Sequence, residues 1–251
     1  NVDENTSILF NFRGSSTSAD SNSPSDRTFI DLYKDTDLIL ISIHPLTDES
    51  NNYNYDIFDD ETGISTDRLG NEDDVLAFEE IKDKVISIYD ISSNTPVYAK
   101  GHSSGGIFCY RLAKENLVDG IIVSGANYID TNLELPTTSN PIPVIIAHND
   151  EDSVVSFTGT VTEDDDGIMY YSTYESANAW ATINNSGTTT TIESTTPEIN
   201  ILNIGTTVVP NNITVNEYTA NDVTLFVIES TVHIIPKDIE SIIRDSFLGW
   251  F

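Results

Sequence analysis

The chain has 251 residues, of which 41 are acidic and 11 are basic, and its formal net charge at pH 7 is −30. Such a charge repels nucleic acid and anionic membranes, so we predict neither as a partner. The sequence has no apolar run long enough to cross a bilayer, and its single cysteine, Cys109, excludes an intramolecular disulfide and zinc–cysteine clusters. We expect one domain over residues 1–251, as a monomer or a small homo-oligomer.

Short apolar segments rich in Val and Ile alternate with amphipathic segments along the chain. The first kind predicts buried strands at 8–12, 38–43, 97–100, 120–124, 144–147 and 223–228. The second kind predicts helices at 25–34, 73–89, 106–115, 172–184 and 238–247. This order indicates an α/β fold, a mostly parallel, doubly wound sheet with helices on both faces. Residues 47–69 have the composition of a long polar loop, and residues 186–221 are predicted to be extra β structure or an irregular connection.

The segment Gly101-His102-Ser103-Ser104-Gly105 spells G-x-S-x-G between the third predicted strand and a helix. A serine on such a sharp strand-to-helix turn has a strained backbone and an exposed hydroxyl, and small neighbours allow the close packing. The amides of the following helix point to where an oxyanion would develop. We therefore predict that Ser103 is a catalytic nucleophile.

A nucleophilic serine needs a base and an acid that orients the base, and the chain has only four histidines. His233 follows the last predicted strand, where a base can reach over the sheet edge, and is the predicted base. His148 is expected to hold its own loop in shape. An aspartate in the loop after the fifth strand gives the order serine, aspartate, histidine that is expected of an α/β-hydrolase. Asp152 is our first choice, because it precedes residues 153–155, where the chain turns back, and Asp150 is the second.

Several segments together resemble the secreted feruloyl esterase and polyhydroxybutyrate depolymerase family. They are residues 71–75, 89–91, 101–106 and 110–113, with Trp180 in register with the family's next helix. Residues 143–155 are similar to the family's "HGTxDxxVPY" segment, and residues 232–236 stand where the family has "GHxWP". The resemblance covers most of the chain and implies an α/β-hydrolase fold whose catalytic residues are Ser103, Asp152 and His233.

The sequence also departs from this family. Arg13-Gly14 stands where the family has His-Gly near the oxyanion hole, Ile235 replaces a tryptophan, and the structural cysteines are missing. Backbone amides need no particular side chain, so we predict that the amides of Ser15 and Ser104 are the oxyanion donors. These departures concern the substrate preference more than the chemistry.

The sequence thus predicts a serine carboxylic ester hydrolase that acts through an acyl-enzyme, without metal or organic cofactor. The family resemblance implies that its substrates are feruloyl or acetyl esters of polysaccharides, or polyesters. Tyr53, Tyr55 and Phe58 either form an apolar wall for the acyl group or pack locally. The alternatives are a serine peptidase of the same fold and a catalytically silent hydrolase-fold binding protein.

The distribution of acidic residues suggests where the protein works. The acids are spread along the chain, which is typical of adaptation to salt, and we expect a secreted protein from a marine or saline source whose targeting segment has been removed. Residues 163–167 contain four consecutive acids and a glycine, but they lack the ligand spacing of an EF-hand loop. Cation binding there is an open alternative.

Overall fold

The structure is a computed structural model that describes residues 6–14, 24–43, 74–129, 140–159, 170–185, 202–209 and 213–250. The chain divides into two compact units, Asn1–Gly120 and Ile121–Phe251. The prediction of a single domain remains a prediction. Within the described ranges, no helix is long and apolar enough to span a membrane.

The first unit is built on three parallel strands. Strand β1 (Ser7–Phe12) lies between β2 (Leu38–Ile43) and β3 (Val97–His102), and it pairs in parallel with both. All six residues of β1 are buried, as expected of a central strand in a parallel sheet. The helices of this unit are α1 (Pro24–Tyr33), α2 (Asp74–Tyr89) and α3 (Ser104–Lys114).

Aromatic side chains connect β1 to two of these helices. Phe10 contacts Phe78 of α2 edge to face, with ring centroids 5.0 Å apart. Phe12, two residues further on the same face of β1, meets Phe108 of α3 in the same way at 5.1 Å. These four rings are almost completely buried, and this packing places the start of α3 beside the carboxyl end of β1.

The second unit combines parallel and antiparallel strands. Strand β5 (Val144–Asn149) pairs in parallel with β4 (Gly120–Ser124) and with β8 (Val223–Ile228). Antiparallel pairing then adds β7 (Ile213–Ala220) to β8 and β6 (Leu202–Val209) to β7. The helices are α4 (Thr173–Asn184) and α5 (Lys237–Leu248).

Helix α4 begins with a complete capping box. The Ser172 hydroxyl accepts a hydrogen bond from the Glu175 amide at 3.1 Å, and the Glu175 carboxylate accepts one from the Ser172 amide at 2.7 Å. Trp180, in the middle of the helix, is fully buried. The first residue of α4, Thr173, is therefore held in a defined place.

The predicted alternation of strands and helices is confirmed. Each of the six predicted strands and five predicted helices is present, with ends that differ from the prediction by a few residues at most. The described part of the segment 186–221 forms the antiparallel strands β6 and β7, so the expectation of extra β structure there is confirmed. The predicted loop at 47–69 lies outside the described residues.

Candidate active site

Ser103 lies at the junction of β3 and α3 in a conformation that L-amino acids rarely adopt. Its φ is 54° and its ψ is −126°, and it is the N-cap residue of α3. Such a backbone conformation costs about 1–3 kcal/mol and persists only when the surroundings impose it. The strained strand-to-helix turn predicted from the sequence is present.

Three glycines make this turn possible. A Cβ added to Gly101 would lie 2.1 Å from the Gly105 carbonyl oxygen, and one added to Gly105 would lie 2.3 Å from the Phe12 carbonyl oxygen. A Cβ on Gly14 would be 3.0 Å from the Cβ of Ser103. The end of β1, the end of β3 and the start of α3 therefore approach one another more closely than side chains would permit.

The Ser103 hydroxyl makes no hydrogen bond that caps its helix. Serine at an N-cap ordinarily accepts a hydrogen bond from an amide of the first turn, as Ser172 does at the start of α4. The N-cap position of Ser103 thus contributes no side-chain cap to α3. Ser104, a predicted oxyanion donor, is the first residue of that helix, so its amide lies in the first turn.

We expect Gly105→Ala to destabilise the first unit strongly. The new methyl group would meet the carbonyl oxygens of Phe12 and Arg13 at 2.3 and 2.7 Å, and main-chain atoms cannot move aside as a side chain can. The free energy of unfolding, measured by chemical denaturation, should fall by about 3 kcal/mol or more. Gly249→Ala is the control, because its nearest contact is 3.1 Å away and its φ is −72°, so a much smaller loss is expected. Equal stability of the two variants would contradict this account of the turn.

In the second unit, Asp152 and His233 form a hydrogen-bonded pair across 81 positions of sequence. His233 Nδ1 lies 2.7 Å from Asp152 Oδ2, and the Asp152 side chain is completely buried. Because a carboxylate only accepts hydrogen bonds, the imidazole donates its Nδ1 proton. In the neutral ring the lone pair is then on Nε2, which is the arrangement that a histidine base requires.

The loops that carry this pair are joined by main-chain hydrogen bonds. The Asp150 amide donates to the Ile228 carbonyl at 2.9 Å, and the Glu151 amide donates to the Ser230 carbonyl at 3.3 Å. The Asp150 carboxylate accepts a hydrogen bond from the Ser230 amide at 3.1 Å. Asp150, the second candidate for the acid, therefore binds the backbone of the neighbouring loop, whereas Asp152 binds the His233 ring.

Asp152 is held in its ionised form. Burial by itself would raise the pKa of this carboxyl, but hydrogen bonds from His148, His233 and the Val154 and Val155 amides outweigh the burial and hold the pKa well below its usual range. The two amides donate to Oδ1 at 2.8 and 3.0 Å, while the two imidazoles face Oδ2. Both oxygens of the carboxylate are thus fixed in position.

His148 lies behind Asp152 and is fully buried. Its Nε2 is 3.0 Å from the Val155 carbonyl oxygen and 3.4 Å from Asp152 Oδ2. The expectation that His148 holds its loop in shape agrees with these contacts. Its Nδ1 is 2.7 Å from the hydroxyl of Thr173, which contacts Asn127 in turn. Sequence reasoning did not find Thr173 or Asn127, because nothing local marks them as partners of a histidine 25 and 21 positions away.

The buried cysteine is not a second nucleophile. Cys109 lies in α3 and is completely buried, and burial raises the pKa of its thiol far above the usual range. The thiol therefore stays protonated and inert, as expected for a small packed hydrophobic residue. Among the residues that the structure describes, no group of three or more His, Cys, Asp or Glu side chains could hold a metal ion.

Several predicted site residues lie outside the described residues. They are the oxyanion candidate Ser15, the aromatic residues Tyr53, Tyr55 and Phe58, and the acidic segment 163–167. Their roles remain predictions.

Comparison with known proteins gives a likeness to solved structures. No family model and no curated protein matches the chain. Among solved structures, the chain is similar to YahD, whose structure was determined with malic acid; the TM-score is 0.53 and the sequence identity 10%, over 99% of this chain and 95% of YahD. This likeness and the parallel strand pairs show an α/β-hydrolase fold, as the sequence predicted. At this identity the likeness concerns the fold, and the feruloyl esterase resemblance remains a prediction.

Proposed function

We propose that the protein is a serine hydrolase that cleaves carboxylic esters through an acyl-enzyme. The observation that carries the proposal is the conformation of Ser103, a strained N-cap serine whose hydroxyl does not cap its helix. The hydrogen-bonded pair of Asp152 and His233 supports it, since a nucleophilic serine needs a base with a fixed tautomer.

The proposed reaction has two halves. In the first, Ser103 Oγ attacks the ester carbonyl while His233 Nε2 takes the serine proton, and backbone amides, including that of Ser104, stabilise the oxyanion. His233 then gives its proton to the leaving alcohol as the carbon–oxygen bond breaks. In the second half water attacks the acyl-enzyme by the same route and releases the carboxylic acid. Asp152 stays ionised and stabilises the imidazolium throughout.

Exposed apolar side chains beside the acid and base suggest a hydrophobic substrate. Val154 is two residues from Asp152 and 67% exposed, while Val232 and Ile234 flank His233 and are 50% and 72% exposed. Apolar side chains exposed together are often binding surfaces. They fit the aromatic or aliphatic part of a feruloyl ester or a polyester, the substrates that the family resemblance implies.

A panel of substrates tests the proposal and its alternatives. We expect hydrolysis of p-nitrophenyl esters, with a preference for longer acyl chains, and activity on methyl ferulate or a polyester film. Cleavage of peptide substrates without ester preference would favour the peptidase, which uses the same catalytic groups. A folded protein that hydrolyses none of these substrates would favour the silent binding protein.

We also propose that the acidic surface is an adaptation to saline surroundings outside the cell. A net charge of −30 causes repulsion that is stronger in the compact folded state than in the expanded unfolded chain. The melting temperature should therefore rise from low salt to sea-water salt and then level off, since the Debye length is only about 8 Å at physiological ionic strength. A flat or falling melting temperature would show that the acids serve another purpose.

A further inference from the structure

Asn127, Thr173 and His148 form a buried chain of hydrogen bonds, and the far nitrogen of the His148 ring lies 3.4 Å from Asp152 Oδ2. None of the three residues is measurably exposed to solvent. Asn127 Oδ1 is 2.8 Å from Thr173 Oγ1, which is 2.7 Å from His148 Nδ1. On the other side of the ring, Nε2 faces the Val155 carbonyl and Asp152. Because every group is buried, the protons along this chain can be counted.

The orientation of the Asn127 side-chain amide is fixed by the Ser156 carbonyl. Its Nδ2 donates to the Ser156 carbonyl at 2.7 Å, and a carbonyl can only accept. Turning the amide over would place two acceptor oxygens at this short distance. Asn127 Oδ1 must therefore face Thr173, where it accepts a hydrogen bond from the Thr173 hydroxyl.

The Thr173 hydroxyl has only one proton, and it donates that proton in the hydrogen bond to Asn127 Oδ1. The contact between Thr173 Oγ1 and His148 Nδ1 then needs a proton from the ring, so Nδ1 carries one. Nε2 also carries one, because both of its neighbours, the Val155 carbonyl and the Asp152 carboxylate, accept only. In a neutral imidazole one of these close contacts would have no proton between its two atoms.

We infer that His148 is a doubly protonated imidazolium that holds Asp152 in the position from which it orients the His233 ring. The charge balances that of Asp152, so the buried pair is neutral overall, as buried charges in proteins require. Asp152 Oδ2 lies between two imidazoles, with His233 on one side and His148 on the other. His148 thereby fixes the plane of the carboxylate that orients the catalytic base.

The fold holds each member of the chain in place. Thr173 is the first residue of α4, behind the Ser172 capping box, and its amide donates to the Phe157 carbonyl at 2.9 Å. The Phe157 and His148 rings pack edge to face, with centroids 5.7 Å apart. The protonation state of His148 is thus set by fixed partners. Its importance for the reaction rests on the proposed function.

Nitrogen NMR of the full chain, uniformly labelled with ¹³C and ¹⁵N, tests the protonation state of His148 directly. At about pH 7.5, where an ordinary histidine is mostly neutral, we expect both ring nitrogens of His148 to carry protons. The resonances are assigned through correlations from the ring to the backbone, so the wild-type protein alone suffices. A His148 with a single protonated nitrogen would overturn the inference.

Two variants change the proton count in different ways. Asn127→Leu frees the Thr173 proton to be donated to Nδ1, and Thr173→Val removes the acceptor for the Nδ1 proton. We expect His148 to become neutral in both, with its proton on Nε2. Thr182→Val is the matched control, because the Thr182 hydroxyl donates a hydrogen bond to the Asn178 carbonyl within α4, and Thr182 belongs to neither the proposed hydrogen-bond chain nor the proposed catalytic groups. If His148 keeps both of its ring protons in Asn127→Leu, the inference is overturned.

The kinetic measurement tests the positioning role separately. We expect Asn127→Leu and Thr173→Val to lower kcat on a p-nitrophenyl ester by about tenfold with little change in KM, while Thr182→Val retains full activity. An unchanged kcat in both neutral-His148 variants would overturn the positioning role. If the wild-type protein hydrolyses no ester, the proposed function fails, while the NMR result still decides the protonation state.

Discussion

Ser103→Ala should abolish ester hydrolysis while leaving the protein as stable as before. Loss of a nucleophilic serine lowers kcat by on the order of 10⁶. Stability should hardly change, because the Ser103 hydroxyl makes no capping hydrogen bond that alanine would lose. We would measure hydrolysis of a p-nitrophenyl ester and the free energy of unfolding on the same preparation.

Ser172→Ala is the matched control for this stability comparison. Ser172 is also an N-cap serine, but its hydroxyl accepts a hydrogen bond from the Glu175 amide. Its replacement should therefore lower the free energy of unfolding by about 1 kcal/mol. Ordinary esterase activity in a folded Ser103→Ala protein would contradict the role of Ser103 as nucleophile.

Asp152→Asn should lower kcat by roughly 10⁴, because an amide can present its NH₂ group to the imidazole and favour the wrong tautomer. Asp150→Asn is the control in the same loop. Its carboxylate accepts a hydrogen bond from the Ser230 amide, which the amide oxygen of asparagine can also accept, so kcat should change little. The comparison needs only steady-state rates on one ester. A larger loss in Asp150→Asn than in Asp152→Asn would move the acid to Asp150.

The central features of the fold were predictable because their signals are local. Buried parallel strands such as Val144–Asn149 contain short runs of Val and Ile, and the turn at Ser103 needs glycines at fixed offsets, so both are visible in a single sequence. The hairpin of Leu202–Val209 and Ile213–Ala220 was harder to place. Its pairing shifts register between Asn203 and Gly205, and such a shift disturbs the alternation that identifies a strand.

The candidate site was only partly predictable for a related reason. Asp152 and His233 follow strands that pair in parallel, so their meeting at one end of the second unit could be inferred from their order. The contacts of His148 could not be inferred from the order of the elements. Thr173 begins a helix, Asn127 follows a different strand, and the two are 46 positions apart. A proton count of this kind depends on which atoms face each other, which no local pattern records.

The most direct test of the account is to locate the nucleophile by covalent labelling. A fluorophosphonate reacts with a serine that a neighbouring base activates, and mass spectrometry of the digested protein identifies the modified residue. We expect one phosphonyl group on Ser103 of the folded protein and a large loss of labelling in His233→Gln, because the base is then missing. A label on another residue, or equal labelling of Ser103 in His233→Gln, would contradict the proposal that Ser103 and His233 act together.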